Sequence, residues 1–238
     1  MCTRYVLLQQ HLRALLERLG IDVAAGFGSK YNIAPGSFIP AVRQPARAAK
    51  AELTELRWGL IPSWAKDDTG SPLVNARAET LASKPSFRDA LRARRCILPA
   101  SGFYEWEHRG RAKQPWLFRR RDEQPFGLAG LWESWRAPDG RVLETCAVIT
   151  NEPNELMRPI HDRMPVMLTP EQFAPWLDPR ITQPDDLASL LHPPRAVTMT
   201  AMPVSTHVSS VRHEGPECIA PAPAEKIGEG PQLSLGLE

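Results

Sequence analysis

The sequence predicts an α+β fold on three observations: a leucine-rich opening with helical period, a middle of short aromatic and β-branched segments broken by Pro, Gly and Asp, and an end that mixes the two. With 238 residues and 42% hydrophobic content the chain can bury one substantial core, and mixed folds of this length form a single domain. Val6, Leu7, Leu12, Leu15, Leu16 and Leu19 recur at helical spacing, so the first element is expected to be a helix starting almost at Cys2 and capped by Gly20. Strands are expected over Phe38 to Val42, Leu56 to Ile61, Gly102 to Trp106, Trp116 to Phe118, Phe126 to Trp135 and Thr145 to Thr150. Two hairpins are expected, one turning at Arg109-Gly110-Arg111 and one at Pro138-Asp139-Gly140. Helices are expected from Ser86 to Arg95, Pro170 to Leu177 and Pro184 to Leu191, each opening near Ser, Thr or Pro. From about Pro221 to Glu238 the Pro, Gly and Ala content is that of an unpacked tail.

Composition narrows the function classes. The net charge of +2, from 29 basic and 27 acidic residues, excludes binding to a polyanion through bulk charge, so any such site must be a local patch. Cysteines at 2, 96, 146 and 218 show no C-x-x-C spacing, which argues against a structural zinc or a disulfide scaffold; no metal and no cofactor are expected. No apolar run approaches the ~18 residues needed to span a bilayer, and no signal peptide opens the chain. The expectation is a cytoplasmic protein with no membrane partner, acting as a monomer.

Met1-Cys2-Thr3 places a cysteine where methionine removal would expose it as the N-terminus. The resulting 1,2-aminothiol is a double nucleophile, whose amine forms a Schiff base with an aldehyde and whose thiol then closes on the same carbon as a thiazolidine. An α-amine titrates near ~7.7–8.0 against ~10.4 for lysine, so more of it is unprotonated at neutral pH. Elsewhere polar residues interrupt core-forming segments, in Tyr31-Asn32-Ile33-Ala34-Pro35-Gly36, Trp58 to Trp64, Asn75-Ala76-Arg77-Ala78-Glu79-Thr80, Gly102-Phe103-Tyr104-Glu105-Trp106 and Ile160-His161-Asp162-Arg163-Met164-Pro165-Val166. Aromatic neighbours on both sides of Glu105 would desolvate its carboxyl and raise its pKa towards general acid–base use; the alternative is a strand glutamate facing water. His161 is a candidate proton shuttle, its reference pKa of ~6.5 lying close to neutrality.

Together these signatures, followed by Pro203-Val204-Ser205 and Gly215-Pro216-Glu217-Cys218-Ile219, resemble the SRAP family of abasic-site processing proteins from Cys2 to about Pro221. The resemblance implies one domain over residues 2–221, with a mixed, barrel-like antiparallel β core flanked by helices, and a disordered tail over 222–238. It implies an enzyme of the DNA damage response that captures abasic sites in single-stranded DNA as a covalent thiazolidine through Cys2; a Schiff base at a sugar bearing a 3′-phosphate also invites β-elimination, so weak lyase activity and slow crosslink reversal are expected side outcomes. Its catalytic residues fall on Cys2, Asn75, Glu105 and His161, and its phosphate-contacting arginines on Arg4 and Arg77. Glu105 would move protons at the α-amine and the sugar oxygen, His161 would protonate the departing hydroxyl, and Asn75 would orient the sugar or the Cys2 backbone. Pro35 and Trp64 would form a wedge or stacking platform for bases, and the arginine runs Arg92 to Arg95 and Arg119 to Arg121 either widen the basic surface or are solvated faces. Thr3 and Ala65 depart from the family pattern, since many members have glycine and some a second tryptophan there.

Gln232 to Leu237 resembles the short peptide by which bacterial repair proteins dock into the replication sliding clamp, a second expected partner; in a bacterium the protein would be nucleoid-associated. Two rivals stand beside abasic-site capture. A cysteine peptidase would use Cys2 as thiolate with His161 and Glu105, and acetylating the α-amine would leave it active. A noncatalytic single-strand-binding module would survive Cys2→Ala.

Overall fold

A computed structural model describes residues 2–22, 26–46 and 48–223. In chain order the strands and helices are β1 (Tyr5–Leu7), α1 (Gln9–Arg18), β2 (Lys30–Ile33), β3 (Phe38–Arg43), β4 (Glu52–Trp58), β5 (Asn75–Arg77), α2 (Arg88–Ala93), β6 (Arg95–Ala100), β7 (Gly102–Arg109), β8 (Ala112–Arg120), β9 (Phe126–Arg136), β10 (Val142–Asn151), β11 (Met164–Pro165), β12 (Met167–Leu168), α3 (Pro170–Leu177), α4 (Pro184–Leu187) and β13 (Met199–Pro203). Both expected hairpins form, β7 with β8 and β9 with β10.

Five strands close on themselves. β10 pairs in parallel with β4, which runs antiparallel to β3; β3 pairs with β6, β6 with β9, and β9 returns to β10. The closed ring is therefore a mixed barrel, with one parallel pair among antiparallel ones, and it removes the exposed edges that an open sheet would leave. The rest of the fold is a second sheet in the order β13-β8-β7-β1-β2. Alternation gives that sheet two packed faces. Tyr5, Leu7, Phe103 and Phe118 join the barrel core, while Val6, Tyr104 and Leu117 pack under Val204, Val208 and Cys218.

The opening helix is shorter than its leucines suggest. Tyr5, Val6 and Leu7 are a strand buried on both faces between β2 and β7, and such a strand reads as a continuous apolar run that periodicity cannot tell from a buried helix. α1 begins at Gln9 and ends as expected: Gly20 takes φ 64°, Ile21 N–H donates to Leu16 O at 3.0 Å and Gly20 N–H to Glu17 O at 3.1 Å, a Schellman cap. The helix expected to reach Arg95 stops at Ala93, and Arg95 opens the fully buried β6. β4 ends at Trp58 rather than Ile61 because Gly59 turns the chain at φ 128°. The tail expected over 222–238 lies outside the described residues beyond 223, and Gln232 to Leu237 with it.

Candidate active site

The register of the second sheet sets the first two site residues side by side. β1 runs antiparallel to β7 with Tyr5 opposite Phe103, and Tyr104 N–H donates to Arg4 O at 3.0 Å, so following β1 back towards Cys2 leads forward along β7 to Glu105. Glu105 shares the face of Phe103, the face packed on the barrel. It is 4% exposed, which overturns the alternative of a glutamate facing water. Burial pushes its carboxyl up to about 7, into the range in which a carboxyl can both take and give a proton at neutral pH. Cys2 is fully buried, and burial together with the nearby Glu105 charge drives its thiol well above the ordinary cysteine value.

The barrel supplies the opposite wall. The last residues of β10 are flanked on one side by β5, with Val148 opposite Asn75 and Thr150 opposite Arg77, and on the other by β11, with Thr150 opposite Pro165. Asn75 and Arg77 share one face of β5 while Ala76 is buried on the other. Both side-chain atoms of Asn75 that can hydrogen-bond, and the hydroxyl of Thr150, are buried without a partner. A buried amide left this way costs free energy in the absence of a ligand. Thr150 was not among the residues singled out from the sequence: as the last hydroxyl of a buried strand it carries no local signal.

His161 precedes β11 and crosses the seam between barrel and sheet. Its Nε2 lies 3.9 Å from Glu105 Oε2. Nδ1 accepts the Arg163 N–H at 3.0 Å and lies 3.0 Å from Asp162 Oδ1. These two contacts need different proton positions: the amide needs a bare Nδ1, the carboxylate a protonated one. Burial lowers the His161 pKa, so the ring rests neutral, and with Nδ1 accepting the Arg163 amide its proton sits on Nε2, facing Glu105. Cys2, Glu105 and His161 thus come from the segment leading into β1, the middle of β7 and the turn before β11.

The four residues expected to meet nucleic acid divide. Arg77, Pro35 and Trp64 are exposed. Trp64, 65% exposed, stands on an anchored loop: Trp135 Nε1 donates to Ala65 O at 2.7 Å, Ile61 N–H to Thr145 Oγ1 at 3.0 Å, and Ile61 packs with Trp135 and Ala137. Pro35 sits on the turn between β2 and β3, where Gly36 N–H donates to Trp58 O at 2.8 Å with φ 90°. Arg4 instead points inward, its Nη1 donating to Asn32 Oδ1 at 2.7 Å and Val208 O at 2.8 Å, its guanidinium 5.3 Å over the Trp106 ring. Asn32 and the loop from Val208 to His213 hold it there, for Asn32 Nδ2 also donates to Ser210 O and His213 O.

Four of the six arginines in the two runs, Arg94, Arg95, Arg120 and Arg121, have partners within the fold. Arg95 is buried with its guanidinium on Trp176 O, Leu91 O and Asp178 O, Arg94 pairs with Glu133 at 2.6 Å, and Arg121 donates to Val197 O and Met199 O. The cysteines among the described residues are free and buried. Among those residues no group of His, Cys, Asp and Glu is arranged to hold a metal, and no helix is long and apolar enough to cross a membrane.

Comparison with known proteins follows the same lines. The sequence profile of the family described as SOS response associated peptidase (SRAP) matches residues 1–211. The abasic site processing protein YoqW of Bacillus subtilis is 44% identical over 224 residues, covering 92% of this chain and 99% of that protein. The abasic site processing protein HMCES of Gallus gallus is 34% identical over 222 residues, covering 80% of this chain and 66% of that protein. A crystal structure of a Bacteroides thetaiotaomicron protein superposes with a TM-score of 0.82 at 28% identity, over 93% of this chain and all of that one. The sheet, the barrel and the seam that joins Cys2 to Glu105 and His161 therefore belong to a member of the SRAP family.

Proposed function

We propose that this protein processes abasic sites in single-stranded DNA, and that it does so by forming a thiazolidine between Cys2, exposed by removal of Met1, and the ring-opened deoxyribose. The single observation that carries the reading is a buried carboxyl, Glu105, with its pKa raised to about 7, beside Cys2 and 3.9 Å from His161 Nε2. The Cys2 amine attacks the aldehyde carbon and Glu105 takes the proton that the nitrogen sheds. The carbinolamine then loses its hydroxyl as water, with the proton returned by Glu105 while the neutral His161 ring holds its Nε2–H towards the departing oxygen, and an imine is left. The Cys2 sulfur adds to the imine carbon, its proton passes to nitrogen, and the five-membered ring closes with one water released overall. Asn75 and Thr150 offer the sugar one amide and one hydroxyl that lack protein partners. Arg77 takes the neighbouring phosphate and Arg4 contributes from behind, while Pro35 and Trp64 hold flanking bases.

The raised thiol pKa favours this order of events. A peptidase needs a thiolate, which an electropositive setting stabilises, whereas burial and the Glu105 charge hold the Cys2 thiol protonated. Attack therefore begins at nitrogen, and the thiol enters only after the imine has made the carbon electrophilic.

Intact-mass spectrometry after mixing with a single-stranded oligonucleotide bearing one abasic site tests the proposal. The expected product is protein lacking Met1 plus oligonucleotide minus one water, absent with Cys2→Ala and with an acetylated α-amine. Met1-free wild type that stays unshifted would exclude it, and peptide cleavage surviving amine acetylation would transfer the site to thiol chemistry.

A further inference from the structure

Arg163 and Glu79 tie together three segments of the site. Arg163 lies between His161 and β11; Glu79 lies in the 3-10 turn that follows Arg77. The Arg163 fork is bidentate on the Glu79 carboxylate, Nη1 to Oε1 at 2.5 Å and Nη2 to Oε2 at 2.9 Å, and Nη2 also donates to Thr150 O at 2.7 Å. The Arg163 side chain is 13% exposed and that of Glu79 45%. The same residue's backbone N–H holds His161 Nδ1 at 3.0 Å. One residue thus fixes the acceptor side of the imidazole through its main chain and anchors that main chain to β10 and to the end of β5 through its side chain.

We propose, resting on the abasic-site reading above, that Arg163 and Glu79 are a pair of positioning residues: their clamp holds the His161 turn against the Asn75 strand and keeps the imidazole proton on Nε2, facing Glu105. A bidentate guanidinium–carboxylate pair fixes orientation as well as distance, which a lysine cannot do. The Nδ1 partner decides which nitrogen carries the proton. The charged and titratable groups that act on the ring are the N-terminal amine, Asp162 and His108 through their charges and Glu105 3.9 Å from Nε2, while Arg163 meets it through its main-chain N–H. Loosening the clamp lets water reach the ring, which raises the lowered His161 pKa towards its ordinary value.

A double-mutant cycle on Glu79→Gln and Arg163→Lys tests this, with crosslinking rates at saturating abasic oligonucleotide measured across pH and normalised to the active fraction. Affinity for an oligonucleotide carrying a tetrahydrofuran in place of the abasic sugar, which cannot crosslink, is measured in parallel. Each single variant is expected to slow the step roughly 10- to 100-fold, with affinity changed less than about twofold. The double variant should be no slower than the worse single one, because each side chain acts through the other. The limb of the rate–pH profile removed by His161→Gln should move upward in both single variants, a change that a lower melting temperature alone does not produce. Additive losses, a loss seen in affinity instead of rate, or an unmoved limb would overturn the pairing; a loss in affinity would make Arg163 a phosphate ligand. Glu79→Gln, altering the more exposed partner, carries the test alone if Arg163→Lys does not fold. Should wild type form no crosslink, the abasic-site reading fails, and the imidazole 15N shifts of His161 still decide the clamp: an Nε2–H ring in wild type that becomes a tautomer mixture in Glu79→Gln supports it, and an unchanged ring ends it.

Discussion

Glu105 sets the main conflict between stability and chemistry. Its carboxyl is raised from an ordinary 4.5 to about 7 by burial, so between those values the folded protein binds more protons than the unfolded chain. Stability from this group therefore falls as pH rises through that window. Glu105→Gln is expected to abolish crosslinking at neutral pH while stabilising the fold, by up to about 3 kcal/mol at pH 8 and little at pH 5. Thermal melts of both proteins at the two pH values check the sign; a gain that did not grow with pH would remove the raised carboxyl. In the wild type the crosslinking rate should rise through pH 7 as Glu105 gains its basic form. The raised pKa was legible from the aromatic residues around Glu105 in the sequence. Thr150, Arg163 and Glu79 were not, because a hydroxyl or an ion pair acquires its meaning only from which strand end it meets.

At the scale of elements, the loop after β4 holds an exposed indole on rigid footing. Trp64→Ala should weaken binding of single-stranded DNA by about 1–3 kcal/mol, the value of one stacked base, and leave the melting temperature unchanged, since the ring is 65% exposed. Trp135→Phe keeps Trp64 but removes the 2.7 Å bond to Ala65 O. It should lower stability by about 1 kcal/mol and weaken DNA binding less than Trp64→Ala, a ranking that titrations with a labelled oligonucleotide would reverse if Trp64 were only decoration. Hairpins and α3 follow from local turn and cap chemistry: Thr169 and Gln172 form a capping box at the start of α3. β1 misleads because a central strand buried on both faces carries the same apolar residues as a helix core.

Over the whole molecule, positive and negative charges nearly balance. The net charge is +2, and Arg4, Arg94, Arg95 and Arg121 are committed to internal partners. DNA binding should accordingly depend weakly on salt, with log K falling against log salt at a slope of about −1 to −2, as for two or three phosphates on a single strand. A much steeper slope would mean a basic surface beyond Arg77. Arg95, 4% exposed, joins β6 to the ends of α2 and α3 through carbonyls, so Arg95→Ala should cost about 3 kcal/mol or more by leaving those carbonyls unsatisfied. Denaturant melts measure it directly.

The sequence by itself determined the class of the fold, the two hairpins, the helices at Pro170 and Pro184, and the residue types of the chemistry. Those features are written in local periods, turn residues and spacing. Only the tertiary structure decided that β9 returns to β10 and closes the barrel, that Arg4 turns inward, and that residues far apart in the chain, Cys2, Glu105 and His161, meet in one seam. Closure and convergence depend on strand register over long separations, which no local pattern encodes, and on burial, which gives Glu105 its pKa only after the barrel covers its face of the sheet.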